Sequence, residues 1–188
     1  MKVLLLLMCL VTLVTICAGQ SSNTPKPDLS GIWEFDGARS NLAKSRSSSP
    51  ERIKITHHDP ELLIRRKVII NGVPQERDLT YYTDGRGESN PTTDRLTTNT
   101  GPDSFKPPET ASKTTWSKDK IVTRSIARTH AGAAIIEVDI IDELRLSSDG
   151  KTLTRTTRFV PRKDMSPNVA FVAGRGADVQ AVYKLISK

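Results

Sequence analysis

His57, His58 and His130 are the side chains here best suited to acid–base work or metal ligation, and their placement argues against both. Neighbouring residues of a strand point to opposite faces, so His57 and His58 do not chelate one ion without a break in the pleat. His130 stands at a hairpin end. The acids Asp139, Asp142 and Glu143 are close in sequence, yet strand alternation sends Asp139 outward and Asp142 inward, which is poor geometry for a carboxylate couple. Cys9 and Cys17 both lie in an apolar N-terminal segment that is removed on export, so the mature chain has neither a thiol nucleophile nor a disulfide. No G-x-S-x-G elbow or phosphate-cradling glycine loop occurs, and Gly85-Arg86-Gly87 and Gly174-Arg175-Gly176 are single-arginine loop tips. The expectation is a protein that is not an enzyme, with no metal and no cofactor.

What remains is chemistry of recognition. If the chain between Ser112 and Ile140 folds as successive hairpins, Ser112, Thr114, Thr123, Ser125 and Ala127 share one face. A turn at Lys118-Asp119 pairs Trp116 with Ile121, Thr114 with Thr123 and Ser112 with Ser125. A turn at Ala131-Gly132 pairing Thr129 with Ala134 sets Ala127 against Ile136, Ser125 against Val138 and Thr123 against Ile140. The other face then puts Arg124 opposite Asp139 and Arg128 close to Glu137, so these charges face solvent and the hydroxyl wall faces inward. Inward Ser and Thr beside aliphatic Ile136, Val138 and Ile140 suit a cavity with a few polar groups. The alternative is that Trp33, Phe35, Trp116 and Tyr183 fill the same space from other strands.

The same arithmetic turns Ile53, Ile55 and His57 inward against Arg66, Ile64 and Leu62, with Arg77 and Leu79 beyond the Asn71-Gly72 turn. Pairing Leu146 with Leu153 turns Arg155 inward near Asp142. Interior charges need partners. Asp142 with Arg155 is therefore a candidate interior ion pair, and Arg66 with Arg77 a candidate anion-binding pair. The simpler reading takes these arginines to solvent at the barrel rim, and a bulge at Pro74 would turn the residues after it to the other face.

These side chains are carried by segments rich in Ile, Val, Thr and Tyr with period-2 alternation, separated by turn residues every 8 to 12 positions or so. Strands are expected over 31–36, 51–58, 61–70, 74–83, 110–117, 120–130, 134–147, 152–160 and 178–186. Short connections at Asp59-Pro60, Asn71-Gly72, Lys118-Asp119, 131–133 and 148–151 make consecutive strands antiparallel neighbours. Two long loops, 84–109 and 161–177, interrupt the series. Such a meander leaves exposed edges unless it closes, so the expected fold is all-β, an antiparallel up-and-down barrel of eight to nine strands. An open sandwich is the alternative.

Lys2, then the apolar run from Val3 to Ile16, then the small residues Ala18 and Gly19 form the order of a secretory signal peptide. The run is shorter than a spanning helix needs, so no permanent membrane span is expected. The division is thus 1–19 signal peptide, 20–28 flexible leader and 29–188 barrel domain, in a secreted or periplasmic protein. A lipid anchor at Cys17 is the less favoured end, because large Ile16 stands where a lipobox wants a small residue. The net charge of +7 comes from scattered residues with no aromatic-rich basic tract, which does not point to a nucleic-acid partner.

Gly31-Ile32-Trp33, at the start of the first strand, resembles the G-x-W motif of lipocalins and the wider calycin group. The span from Leu29 onward is also similar to secreted bacterial lipocalin-like proteins, with Ser30-Gly31-Ile32-Trp33, Ala43-Lys44-Ser45, the hairpin from Asp149 to Leu153 and a closing segment around Tyr183. The resemblance implies that Trp33 packs across the closed end of a barrel and that small apolar ligands enter the other. Gly31, Trp33, Trp116, Asp142 and Arg155 are then structural. Ser112, Thr114, Thr123, Ser125, Ile136, Val138, Ile140, Arg66 and Arg77 are the candidate ligand contacts. The expected function is an exported binding protein for a small apolar or amphipathic molecule. The alternative is an envelope or extracellular protein-interaction module with a filled barrel, whose loops near Phe105 and Phe171 bind a macromolecule. Nothing in the sequence sets the oligomeric state.

Overall fold

A computed structural model describes residues 25–41, 52–70, 73–91, 109–131, 134–162 and 178–188. The segment expected to be a signal peptide, Cys17, the first residues of the expected leader, Ala43-Lys44-Ser45, the expected Asn71-Gly72 turn and both Phe105 and Phe171 lie outside the described residues. Among the described residues ten strands form one antiparallel sheet: β1 (Gly31–Phe35), β2 (Arg52–His58), β3 (Glu61–Ile70), β4 (Val73–Tyr82), β5 (Glu88–Pro91), β6 (Glu109–Ser117), β7 (Lys120–Ala131), β8 (Ala134–Leu146), β9 (Thr152–Pro161) and β10 (Val179–Ser187). Their order, β4-β3-β2-β1-β10-β9-β8-β7-β6-β5, is an up-and-down meander joined through the β1–β10 pair. The result is a nearly closed barrel. Strand β2 shows why the chain folds this way: Ile53, Ile55 and His57 are buried while Arg52, Lys54 and His58 are exposed, a strict period of two.

The expected strands are all present, but the count is ten rather than eight or nine. The additional strand, β5, sits inside the long loop expected over 84–109. Its sequence, Glu-Ser-Asn-Pro, has no apolar alternation to announce it, and only pairing with β6 makes it a strand.

Registers on β2, β3 and β4 run as expected, with Ile53 opposite Arg66, Arg66 opposite Arg77 and Ile64 opposite Leu79. The β3–β4 ladder continues unbroken past Pro74, with no bulge there. Trp116 pairs with Ile121, Thr114 with Thr123, and Leu146 with Leu153, also as expected.

The β7–β8 hairpin departs from the expected pairing. Its first pair is Ala131 with Ala134, so Thr129 faces Ile136, Ala127 faces Val138, Ser125 faces Ile140 and Thr123 faces Asp142. The connection is tighter than assumed, which slides the pairing by two residues. Because side chains alternate with period two, this slide changes partners without changing faces. Arg124 therefore lies opposite Ile141 and not Asp139. Asp139 and Glu137 instead receive Arg162 at 3.1 and 2.8 Å, and Glu143 is held by Lys120 at 2.7 Å and by Arg158.

The β2–β3, β6–β7 and β8–β9 hairpins share one end of the barrel with the chain entering β1, and this end is filled. Trp33, Leu29, Ile55, Leu62, Ile121 and Leu153 are its most deeply buried apolar side chains. The indole N–H of Trp33 donates to the Leu29 carbonyl at 3.1 Å, tying the entering chain to the plug. Gly31 is required beside it. Its φ is +149°, and a Cβ there would stand 2.7 Å from Leu185 Cδ1 and 3.0 Å from the Ser187 carbonyl oxygen. The G-x-W spacing is thus a packing device in this chain.

The seam between β4 and β5 is closed by a side chain. Asn90, 7% exposed, accepts from the Thr80 N–H at 2.7 Å and donates to the Thr80 carbonyl at 2.7 Å, reproducing the two bonds a neighbouring backbone would make. The Glu88 carboxylate adds a bond from the Tyr82 N–H at 3.3 Å.

Candidate functional site

Above the plug the barrel interior leaves a partly enclosed cavity of ≈ 40 Å³, within a hollow of ≈ 500 Å³ that is continuous with solvent. Ile53, Ile64, Leu79 and Leu144 give it apolar walls, joined by the ring of Tyr183. Arg66, Tyr81, Thr123, Asp142 and Arg155 bring polar groups into the same space. Seven strands contribute, and each side chain arrives there because it shares the inward phase of its strand.

Asp142 and Arg155 form the ion pair expected from their registers. The guanidinium meets the carboxylate as a fork, Nε to Oδ1 at 3.1 Å and Nη2 to Oδ2 at 3.0 Å, and the Thr157 hydroxyl also donates to Asp142. Burial by itself raises the Asp142 pKa. The charge and hydrogen bonds of Arg155, the Thr157 bond and the more distant charge of Arg66 outweigh it and hold the carboxyl below its ordinary range. Arg155 moves the other way, its charge held firmly by Asp142. Burial pushes the Tyr81 phenol up, so it remains a neutral donor.

The hydroxyl wall is in place but largely occupied. Ser112 Oγ donates to Glu88 Oε1 at 2.6 Å, and Thr114 Oγ1, fully buried, donates to the same oxygen at 2.7 Å. Thr114 and Thr123 hydroxyls stand 2.8 Å apart. Since the Thr114 proton goes to Glu88, the Thr123 proton goes to Thr114, and Thr123 turns only lone pairs to the cavity. Glu88 is the residue the sequence reading missed. It lies on β5, where no apolar period marked a strand.

Of the other candidate contacts, Arg66 lines the cavity, and Arg77, its cross-strand partner, is half-buried just outside the lining. Ser125 and Ile140 pair with each other outside the cavity lining, and Val138 is buried in the wall opposite Ala127. Ile136 pairs with Thr129, and its side chain lies outside the described residues.

No protein-family model and no curated protein matches this chain. Its chemistry is therefore read from its own geometry. Among the described residues no helix is long and apolar enough to cross a membrane.

The filled end carries a second polar cluster, built around Asp59 in the β2–β3 hairpin. Its carboxylate accepts from Thr83 Oγ1 at 2.5 Å, Trp116 Nε1 at 2.7 Å and Lys26 Nζ at 2.7 Å. Burial raises its pKa, and these three donors more than reverse that, lowering it to about 2. Lys26 also lies 5.7 Å from the Trp116 ring, so the chain ahead of β1 is fixed across this end of the barrel.

His57, behind Asp59, is buried. Its Nδ1 accepts from the Leu29 N–H at 3.4 Å, which leaves the proton on Nε2, 4.0 Å from Asp59 Oδ1 and without a hydrogen-bond partner among the described residues. Burial lowers its pKa below the ordinary 6.5, against the charges of Asp59 and Asp28. The unfolded chain therefore takes up this proton first. Stability from neutral His57 is complete above about pH 6.5 and is lost as pH falls from there through the lowered folded value. Denaturation curves at pH 7.5 and 5.5 are expected to show this loss in the wild type and a smaller one in His57→Gln. Equal losses in the two proteins would assign the effect to other groups.

Proposed function

We propose that this chain is an exported, lipocalin-like binding protein that takes a small amphipathic molecule into the barrel interior. The observation that carries the reading is the cavity's mixed lining. Aliphatic walls and a fixed ion pair share one opening, where a solid barrel would hold interdigitated apolar side chains alone. Export rests on the order of charged, apolar and small residues over positions 1–19.

Uptake of a neutral, fluorescent apolar probe tests the reading. The wild type is expected to enhance its emission, and Thr123→Trp, which places an indole in the cavity, is expected to abolish the enhancement while keeping a cooperative unfolding transition. In a filled barrel the same enlargement overpacks, typically costing about 1 to 3 kcal/mol. A wild type that takes up no probe, with a strongly destabilised variant, would leave the interaction module as the better account.

A further inference from the structure

We infer that the outer wall of the barrel across β1 to β4, beside the end opposite the plug, is a docking groove for an acidic, extended segment of another protein, one that carries carboxylates at alternate positions. The groove holds ≈ 470 Å³ and is open to solvent. It lies on the outside of the wall, so it serves independently of the interior cavity. Glu34 and Ile32 line it from β1, Arg52 and Lys54 from β2, and Arg65 and Lys67 from β3. Glu76 on β4 completes it, and Arg66, which also lines the interior cavity, borders it. The lining side chains of β1, β2 and β3 point outward because Trp33, Ile53 and Ile64 take the inward phase of the same strands.

Cross-strand pairing sets like charges together here. Lys54 lies directly opposite Arg65, and the same register continued by one residue beyond Ile53 and Arg66 puts Arg52 level with Lys67. Like charges so placed destabilise a sheet unless they are drawn apart or share an anion. The two arginines are drawn apart. Arg52 Nη2 reaches Glu34 on β1 at 3.0 Å, and Arg65 forks onto Asp78 on β4 at 2.7 and 2.8 Å. The two lysines are not. Lys54 has Ile32 on its other side, Lys67 has Glu76 across the ladder without an ion pair to it, and neither lysine has an ion pair among the described residues.

Lys54 and Lys67 stand on a diagonal of the β2–β3 pair, a spacing of roughly 7 to 8 Å. Side chains two residues apart on one face of an extended chain are about 7 Å apart. Carboxylates at alternate positions of a strand-like segment therefore meet the two ammonium groups in turn. A single phosphate or carboxylate fits less well, because the arginines that would clamp it as forks are already engaged. Glu34 on one side of the basic strip and Glu76 with Asp78 on the other favour a ligand one chain wide, since a flat anionic bilayer would press on these acids as well. Among the described residues no aromatic side chain lines the groove, so it offers no platform on which bases stack.

Fluorescence anisotropy of labelled peptides, titrated with the full mature chain at pH 7.5 and low ionic strength, tests the groove. The probe is a short Thr peptide with Glu at two alternate positions; one control has the same composition with its Glu residues adjacent, and a second has Gln in place of Glu. The alternating acidic peptide is expected to bind about tenfold more tightly than the Gln peptide, the scale of two exposed ion pairs, and about threefold more tightly than the adjacent one. Lys54→Gln and Lys67→Gln should each weaken it about threefold. Lys113→Gln, which removes an exposed lysine of β6 outside the groove, should leave it unchanged. All three lysines are exposed, so the variants are expected to keep the wild-type unfolding midpoint. Failure of the alternating peptide to bind overturns the groove. So does equal binding of the alternating and adjacent peptides, or a loss in Lys113→Gln as large as that in Lys54→Gln, either of which reduces the effect to the general attraction of a basic protein. Tighter binding of oligothymidylate or of phosphatidylglycerol vesicles, lost in Lys54→Gln and Lys67→Gln, overturns the acidic segment as the occupant.

Discussion

Stability measured by chemical denaturation is expected to fall by about 3 to 5 kcal/mol when Trp33 is replaced by alanine. The indole has no exposed surface and stands at the centre of the filled end, among Leu29, Ile53, Ile55 and Tyr183. Its neighbours belong to a barrel wall whose backbone is tied by ladders on both sides, to β2 and to β10. That wall cannot collapse into the space left behind, so the cost should lie toward the upper part of the range for large-to-small changes. A second loss comes from the Leu29 carbonyl, whose bond from Nε1 holds the entering chain across the barrel. Trp33→Phe keeps much of the apolar body while removing the donor and part of the ring volume, so its expected loss is smaller, about 1 to 3 kcal/mol. The chain has two tryptophans, so Trp116 reports unfolding in both variants. A loss below about 1 kcal/mol in the alanine variant would mean that Trp33 is not the plug of this end.

Asn90→Ala is expected to cost about 2 to 4 kcal/mol, a large effect for a polar side chain on a four-residue strand. The reason is geometric. Ladder bonding ends at β4 on one side and β5 on the other, and Asn90 spans the gap with an acceptor for the Thr80 N–H and a donor for the Thr80 carbonyl. Alanine removes both and leaves a donor and an acceptor on β4 without the partners that substitute for a neighbouring strand. Asn90→Asp is the sharper comparison. A carboxylate still accepts from Thr80 N–H but turns a second oxygen toward the Thr80 carbonyl, so this near-isosteric change should destabilise as much as alanine does. Hydrogen exchange at the Thr80 amide should accelerate in both variants. Unchanged exchange there, with stability within about 0.5 kcal/mol of wild type, would show that other contacts close the seam.

Much of this architecture was legible in the chain itself. Alternation in Arg52–His58 and the short connections at 59–60 and 118–119 determine strands, direction and register, because period and turn chemistry are local properties. The same arithmetic brought Asp142 to Arg155 and Arg66 to Arg77, since a cross-strand pair follows once one turn is placed. The slide of β7 against β8 escaped it because two registers separated by two residues bury the same faces, and alternation cannot tell them apart.

Only the tertiary structure decided what those inward side chains do. Ser112 and Thr114 read as open polar lining, and they are engaged by Glu88, which arrives from a segment with no apolar period. Asn90 closes the barrel from that same segment, and its role exists only once β4 has come around to meet it. Whether the interior is filled or open likewise depends on side chains from strands far apart in sequence, with Trp33 and Leu153 filling one end and Arg66, Asp142 and Arg155 meeting beside the space above it. Local periodicity assigns a residue to a face. The volume left between faces, and the charge within it, are set by the meeting of all the walls at once.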